Sequence, residues 1–305
     1  MVDPNVSLEP AEHMRRKRDA YWSDLTAGET GRYKTDQVVR LLAARSLPVE
    51  SSVIDIGAGT SDLSALVADI GGVRDIVCVD YDPALVAERA AHEENPLVNW
   101  RVADARDLTH LDTTPGAVTF FDVLHEVYSF VGRDEETGRV VHEVGIEAVR
   151  EALRSAAEVL APGGVVIVTD DVLPDQEITT VVRARNDLAA ETVRLLERDY
   201  PSCDLEIVWR DDAVFEIPSR RLITLLTQYN KPKRGDMDRW RVEQMEVHEY
   251  MSANEIRTFF EGLGMRVDLE TGTPEQARLE WESDFEVIEG LSALPDKRVA
   301  VVAQK

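Results

Sequence analysis

Short β-branched runs recur along the middle of this chain, at positions 53–56, 76–79, 98–102, 117–121 and 165–169. They are apolar at nearly every position, the pattern of strands covered on both faces. Between them the apolar spacing becomes helical. Leu63, Leu66, Val67 and Ile70 share one face, as do Ala148, Val149, Ala152, Leu153, Ala156, Val159 and Leu160. Asp82-Pro83 places a capping acid before a proline at the first helical position, and Pro162-Gly163-Gly164 turns the chain into the fifth strand. Strands alternating with helices in this way predict an α/β fold, a doubly wound and mostly parallel sheet.

The pattern is different at both ends. Residues 1–50 read as polar helices with Tyr21, Trp22 and Tyr33, the last helix stopping at Pro48. After Asp171 the alternation breaks. Positions 179–198 read as a polar helical stretch, followed by a separate segment at 209–217 and a mixed portion at 222–229. It resumes at Ser252-Ala253-Asn254-Glu255, a capping box opening a helix with Ile256, Phe259, Phe260 and Leu263. Two final strands are predicted at 265–269 and 299–303, too far apart for a tight hairpin. The expected organisation is an N-terminal helical lid (1–50), a core domain (51–172), an inserted cap (173–250) and the C-terminal part of the core sheet (251–305).

Of 305 residues, 58 are acidic and 34 basic, a net charge of −24. Such a field repels phosphate backbones, so no nucleic-acid partner is expected. The basic runs Arg15–Arg18 and 231–241 are interrupted or followed by acids and read as solvated faces. No apolar run reaches the roughly 18 residues of a membrane span, so no membrane partner is expected either. Two cysteines make no disulfide framework, and Met1-Val2-Asp3-Pro4 does not open like a secretory signal. A cytoplasmic setting is the expectation. The oligomeric state is open, and a homodimer is compatible.

The chemistry gathers at the predicted strand ends. The first strand delivers Asp55 and the turn Gly57-Ala58-Gly59; the second delivers Asp80, the third Asp104, the fourth Phe121 and Asp122. Ligands of open α/β sheets bind beyond these carboxyl ends, and an acid ending strand two suits ribose hydroxyls. A dinucleotide would bring a pyrophosphate to the glycine turn, but Asp62 stands where a third glycine would lie and would repel it. A sulfonium nucleoside carries no phosphate and suits an acid-lined turn.

Residues 55–61, Val79-Asp80-Tyr81-Asp82, Val102-Ala103-Asp104-Ala105, Val123-Leu124-His125-Glu126 and Leu160-Ala161-Pro162-Gly163-Gly164 occur in the order typical of class I S-adenosylmethionine-dependent methyltransferases, which the chain resembles over about residues 50–172 and more loosely over 250–305. The resemblance implies a seven-stranded sheet whose last strand is antiparallel, with S-adenosyl-L-methionine bound across strands one to four. It places Asp55 and Gly57 at the methionine portion, Asp80 at the ribose, Tyr81 beside the adenine, Asp104 on its exocyclic amine and the Ala105 amide nearby. Tyr33, Gly59 and Phe121 complete the expected cofactor contacts. His125, Asp122 and Glu126 are the catalytic candidates, as base or as groups orienting a substrate amine, although positioning alone accelerates an in-line displacement.

Three His-Glu pairs, His125-Glu126, His142-Glu143 and His248-Glu249, lack the H-E-x-x-H spacing and lie in different predicted elements, so no metal is expected. The expected activity is methyl transfer to an oxygen, nitrogen or carbon of a small molecule, such as a secondary metabolite. The alternatives are a peptide or protein acceptor, an NAD(P)-dependent oxidoreductase, and a catalytically silent cofactor-binding partner.

Overall fold

The structure is a computed structural model that describes residues 75–305 throughout and, before them, residues 33, 36–37, 39–41, 47–48, 52–58, 66–69 and 72. The expectations on Tyr21, Trp22, Arg15–Arg18, Gly59, Asp62 and Leu63 fall outside these residues.

The larger sheet has eight strands. Its parallel members are β1 (Val53–Ile56), β2 (Ile76–Asp80), β3 (Val98–Val102), β4 (Ala117–Phe121) and β5 (Val165–Leu173). The second sheet is built from β6 (Thr179–Ala184), β7 (Val208–Trp209), β8 (Val214–Pro218) and β11 (Phe285–Glu289); β9 (Glu249–Ser252), β10 (Arg266–Gly272) and β12 (Arg298–Gln304) return to the first. The large sheet runs β10-β12-β5-β4-β1-β2-β3, with β12 antiparallel to both neighbours. This is the expected seven-stranded order with its antiparallel last strand. β9 adds an eighth member by pairing in parallel with the end of β5.

Alternation along each strand sorts the core into two layers. Ile54, Ile56, Val118, Phe120, Val166, Val168, Val299 and Val301 face the helices Leu124–Val131, His142–Val159 and Ala253–Gly262. Val53, Cys78, Ala117, Val165, Ile167 and Val302 pack on the opposite face with Leu47 and Val67. The predicted caps are present: the Asp82 side chain accepts the Ala84 N–H at 2.9 Å, and Ser252 with Glu255 closes the capping box.

Two expectations differ from the structure. Positions 179–198 are not one helix. Thr179–Ala184 is a strand and the helix is Asp187–Asp199, capped by Asn186, whose side chain accepts the Ala189 N–H at 2.9 Å. The Thr-Thr-Val-Val run is β-branched and stiff at χ1, and it gains a partner on each side, β8 and β11. The mixed stretch 222–229 lies inside the helix Ser219–Lys233. The gap between the last two strands holds the helix Glu275–Asp284 and β11. The four-stranded sheet, in the order β11-β6-β8-β7, has a core of its own around Phe215, Tyr229, Trp281 and Phe285.

The fifth strand also runs on past Thr169, carrying Asp170 and Asp171 inside it, 1% and 2% exposed. Asp171 faces its register partner Arg298 on β12, whose guanidinium donates to it at 2.7 Å and also to Asp122. Lys297 Nζ adds a contact at 2.6 Å. Burial alone would raise the Asp171 pKa, but Lys297 and Arg298 hold it well below the usual carboxylate range. Removing one partner from such a cluster leaves buried charge unpaired. Arg298→Met is expected to destabilise the protein by about 3 kcal/mol in urea unfolding at pH 7. Ser252→Ala, which removes only a cap, should cost about 1 kcal/mol in the same measurement.

Candidate functional site

β1, β2, β3 and β4 end together at one edge of the sheet. Asp55 is 2% exposed on β1, and its carboxylate accepts the Thr119 hydroxyl of neighbouring β4 at 2.6 Å. The chain then turns at Gly57, with φ +65°, while the Gly57 N–H donates to Val79 O at 2.9 Å. A Cβ there would lie 2.4 Å from Val123 Cγ2. The glycine therefore serves both a left-handed turn and close packing against the segment after β4.

Asp80 closes β2, half-buried, and burial raises its pKa to about 6. The N–H groups of Asp82 and Tyr81 offset part of that rise, and the Glu126 carboxylate adds to it. Glu126 also acts on Tyr81, whose pKa is raised first by burial and then by Asp80 and Glu126. Glu126, from the first turn of Leu124–Val131, thus shares one negative field with the end of β2. A cationic ligand without phosphate relieves that repulsion, and a diphosphate would worsen it.

Asp104 is more exposed and differently engaged. Its carboxylate is gripped by Arg106, Nε to Oδ1 at 3.0 Å and Nη2 to Oδ2 at 2.6 Å, and it accepts the Arg106 N–H at 2.9 Å. The side-chain hydrogen bonds from Arg106 hold its pKa below the ordinary value. Ala105 follows it half-buried, and Phe121 is half-buried at the end of β4. Tyr33 packs its hydroxyl against Gly272, at the far end of β10. Four strand spacings separate β10 from β1, roughly 19 Å of sheet.

The three catalytic candidates, Asp122, His125 and Glu126, diverge. Asp122, at φ +55°, pairs with Arg298. His125 is 3% exposed; its backbone N–H donates to Asp170 Oδ2 at 3.1 Å and its ring Nδ1 lies 2.8 Å from Asp170 Oδ1. Its ring stacks on His248, centroids 4.6 Å apart, and its Nε2 is 3.5 Å from Glu246 Oε2. Of the three, only Glu126 joins the field around Asp80.

Sequence reasoning named His248 only as one of three His-Glu pairs and did not find Asp170 or Glu246; the Tyr250 hydroxyl also donates to Asp170 Oδ2 at 3.2 Å. Asp170 and His248 lie 45 and 123 positions from His125, and no local spacing signals those contacts. Asp171 was visible, but as a boundary rather than a site.

Residues 54–168 match a family model described as a methyltransferase domain. No curated protein matches the chain significantly in sequence. Among solved structures, the chain is similar to an S-adenosylmethionine-dependent methyltransferase from Mesorhizobium loti, at 13% identity, covering 92% of this chain and 100% of that one, with a TM-score of 0.49. It is also similar to the N-methyltransferase NodS from Bradyrhizobium japonicum, in complex with S-adenosyl-L-homocysteine, at 13% identity, 96% and 97% coverage and a TM-score of 0.46. The YcgJ protein from Bacillus subtilis gives 14% identity, 90% and 98% coverage and a TM-score of 0.47. The family match covers β1 to β5, the strands whose ends carry Asp55, Asp80 and Asp104, so residues 54–168 are similar to a methyltransferase domain, and the sheet they help build has the class I methyltransferase fold.

Proposed function

We propose that this protein transfers the methyl group of S-adenosylmethionine to a small-molecule nucleophile, with the inserted segment 173–250 capping the acceptor. The observation that carries this reading is the acid at the end of β2, which has no cationic partner among the described residues: Asp80, its pKa pushed up to about 6 by burial, with Glu126 in the same field. Both groups gain from a cation, and the sulfonium and ammonium of the cofactor supply one.

Asp80 would accept from the ribose hydroxyls. Tyr81, 49% exposed, would offer a ring face to the adenine, with the Ala105 amide and Asp104 nearby. Asp104 would have to share its carboxylate with Arg106. Asp55 and the Gly57 turn would border the methionine portion, with Phe121 at the end of the adjacent strand. When bound, the cofactor supplies an electrophilic methyl on a positively charged sulfur.

The chain's own part is positioning. Asp122 is neutralised by Arg298 and His125 is enclosed by Asp170, Glu246 and His248. Glu126 is left as the candidate to orient an acceptor. An in-line displacement needs little more than alignment and exclusion of water. The net charge of −24 favours an acceptor that is neutral or cationic over a phosphate-bearing one.

Calorimetry tests the assignment. Cofactor affinity should fall about tenfold between pH 7.5 and pH 5, because protonation of Asp80 near pH 6 removes the acceptor of the ribose hydroxyls. Asp80→Asn should lose that pH dependence and bind at least tenfold more weakly at pH 7.5. A folded-state pKa above the unfolded value of about 3.9 means that the ionised side chain opposes folding above pH 6, a cost relieved as the pH falls. Without ligand, Asp80→Asn should therefore be more stable than the parent, by about 1–2 kcal/mol at pH 7.5. Unchanged affinity in the variant, or tight binding of NAD in place of S-adenosylmethionine, would overturn the assignment.

A further inference from the structure

His125, Glu246 and His248 converge in the interior, where the head of the helix Leu124–Val131 meets the segment leading into β9. Their ligand atoms all lie within 4.8 Å of one another, and Glu246 is fully buried. We propose that these three side chains bind a divalent transition-metal ion of the zinc type, through Nε2 of each histidine and Oε2 of Glu246.

The donor spacing fits. Glu246 Oε2 is 3.5 Å from His125 Nε2 and 3.8 Å from His248 Nε2. Donors around a tetrahedral ion at bond lengths of 2.0–2.1 Å stand about 3.4 Å apart, so the two distances to Glu246 need only a slight contraction, and the two histidine nitrogens, within 4.8 Å of each other, close the rest by side-chain rotation. The tautomer fits as well. Asp170 Oδ1 sits 2.8 Å from His125 Nδ1, so that nitrogen carries the proton and donates it. The lone pair is then on Nε2, directed at Glu246. A carboxylate behind a ligating histidine is the usual outer support of such sites, fixing ring orientation and raising basicity.

The donor set selects the ion. Two imidazoles with one carboxylate suit zinc and its first-row neighbours; magnesium and calcium prefer all-oxygen sets. Glu243 Oε2 lies 3.1 Å from His248 Nε2 and is held at 3.0 Å by Lys231, with Arg239 3.8 Å from its other oxygen, while Arg133 acts on Glu246 and Arg298 on Asp170, so the acids around the cluster are themselves balanced by cations.

His125 precedes the inserted segment 173–250, and Glu246 and His248 lie at its end, so an ion there would clamp that end onto the head of the helix Leu124–Val131. Because the site is buried, its task is to fix His125 and the β4 exit in place. The inference does not rest on the methyl-transfer reading, since its readout is metal binding.

The test uses the full chain, free of any polyhistidine tag and stripped with chelator, titrated with zinc chloride. One equivalent should bind. His248→Gln and Glu246→Gln should each lower the affinity at least a hundredfold, while His92→Gln, on the exposed end of Pro83–His92, should bind as the parent does. No zinc retained by the parent, or parental affinity in His248→Gln, overturns the proposal. Should the ligand variants fail to fold by circular dichroism, zinc-edge X-ray absorption of the loaded parent decides. Scattering from two imidazoles supports the site, and a shell without imidazole overturns it.

Discussion

Two adjacent carboxylates buried at the end of the central strand β5 are the constraint on which this edge of the molecule depends. Neither Asp170 nor Asp171 can stay ionised in the interior without partners, and strand alternation sends them to opposite faces. Asp170 collects the His125 backbone and ring, the Tyr250 hydroxyl and the Asp171 N–H. Asp171 collects Lys297 and Arg298, and Arg298 reaches on to Asp122. One dipeptide thereby joins the exit of β4, the start of β12 and the added strand β9.

Compensation also separates the acids by task. Asp104 has Arg106 and Asp122 has Arg298, so both are largely satisfied within the protein. Asp55 accepts the Thr119 hydroxyl of the neighbouring strand. Asp80 has backbone N–H groups and an acidic neighbour, and its raised pKa records the resulting cost. An ionised acid held at this cost lowers the stability of the fold, and a cation that neutralised it would return that free energy as affinity. The large negative charge of the whole chain acts in the same sense on any approaching cation.

The inserted region shows where local reading reaches its limit. Thr179–Ala184 was legible as β-branched, yet its polar surroundings and the helix after it gave the stretch a helical look. Its identity as a strand depends on β8 and β11, and β11 comes more than a hundred residues later. In the same way His125 was visible as a histidine after a strand. What it touches was not, because Asp170, Glu246 and His248 arrive from other elements. His248 belongs to a His-Glu pair whose spacing argues against a metal, but spacing constrains only ligands that share one helix.

The strand runs, the glycine turn, the caps and the acids at the ends of β1, β2 and β3 were determined by sequence alone, since each follows from hydrogen bonding and burial within some ten residues. Tertiary structure decided which acids are neutralised, how the catalytic candidates divide between cleft and interior, and that β9 joins the large sheet. Those outcomes depend on Coulomb and hydrogen-bond contacts between residues far apart in the chain, whose energies exist only once packing has brought them within a few ångströms.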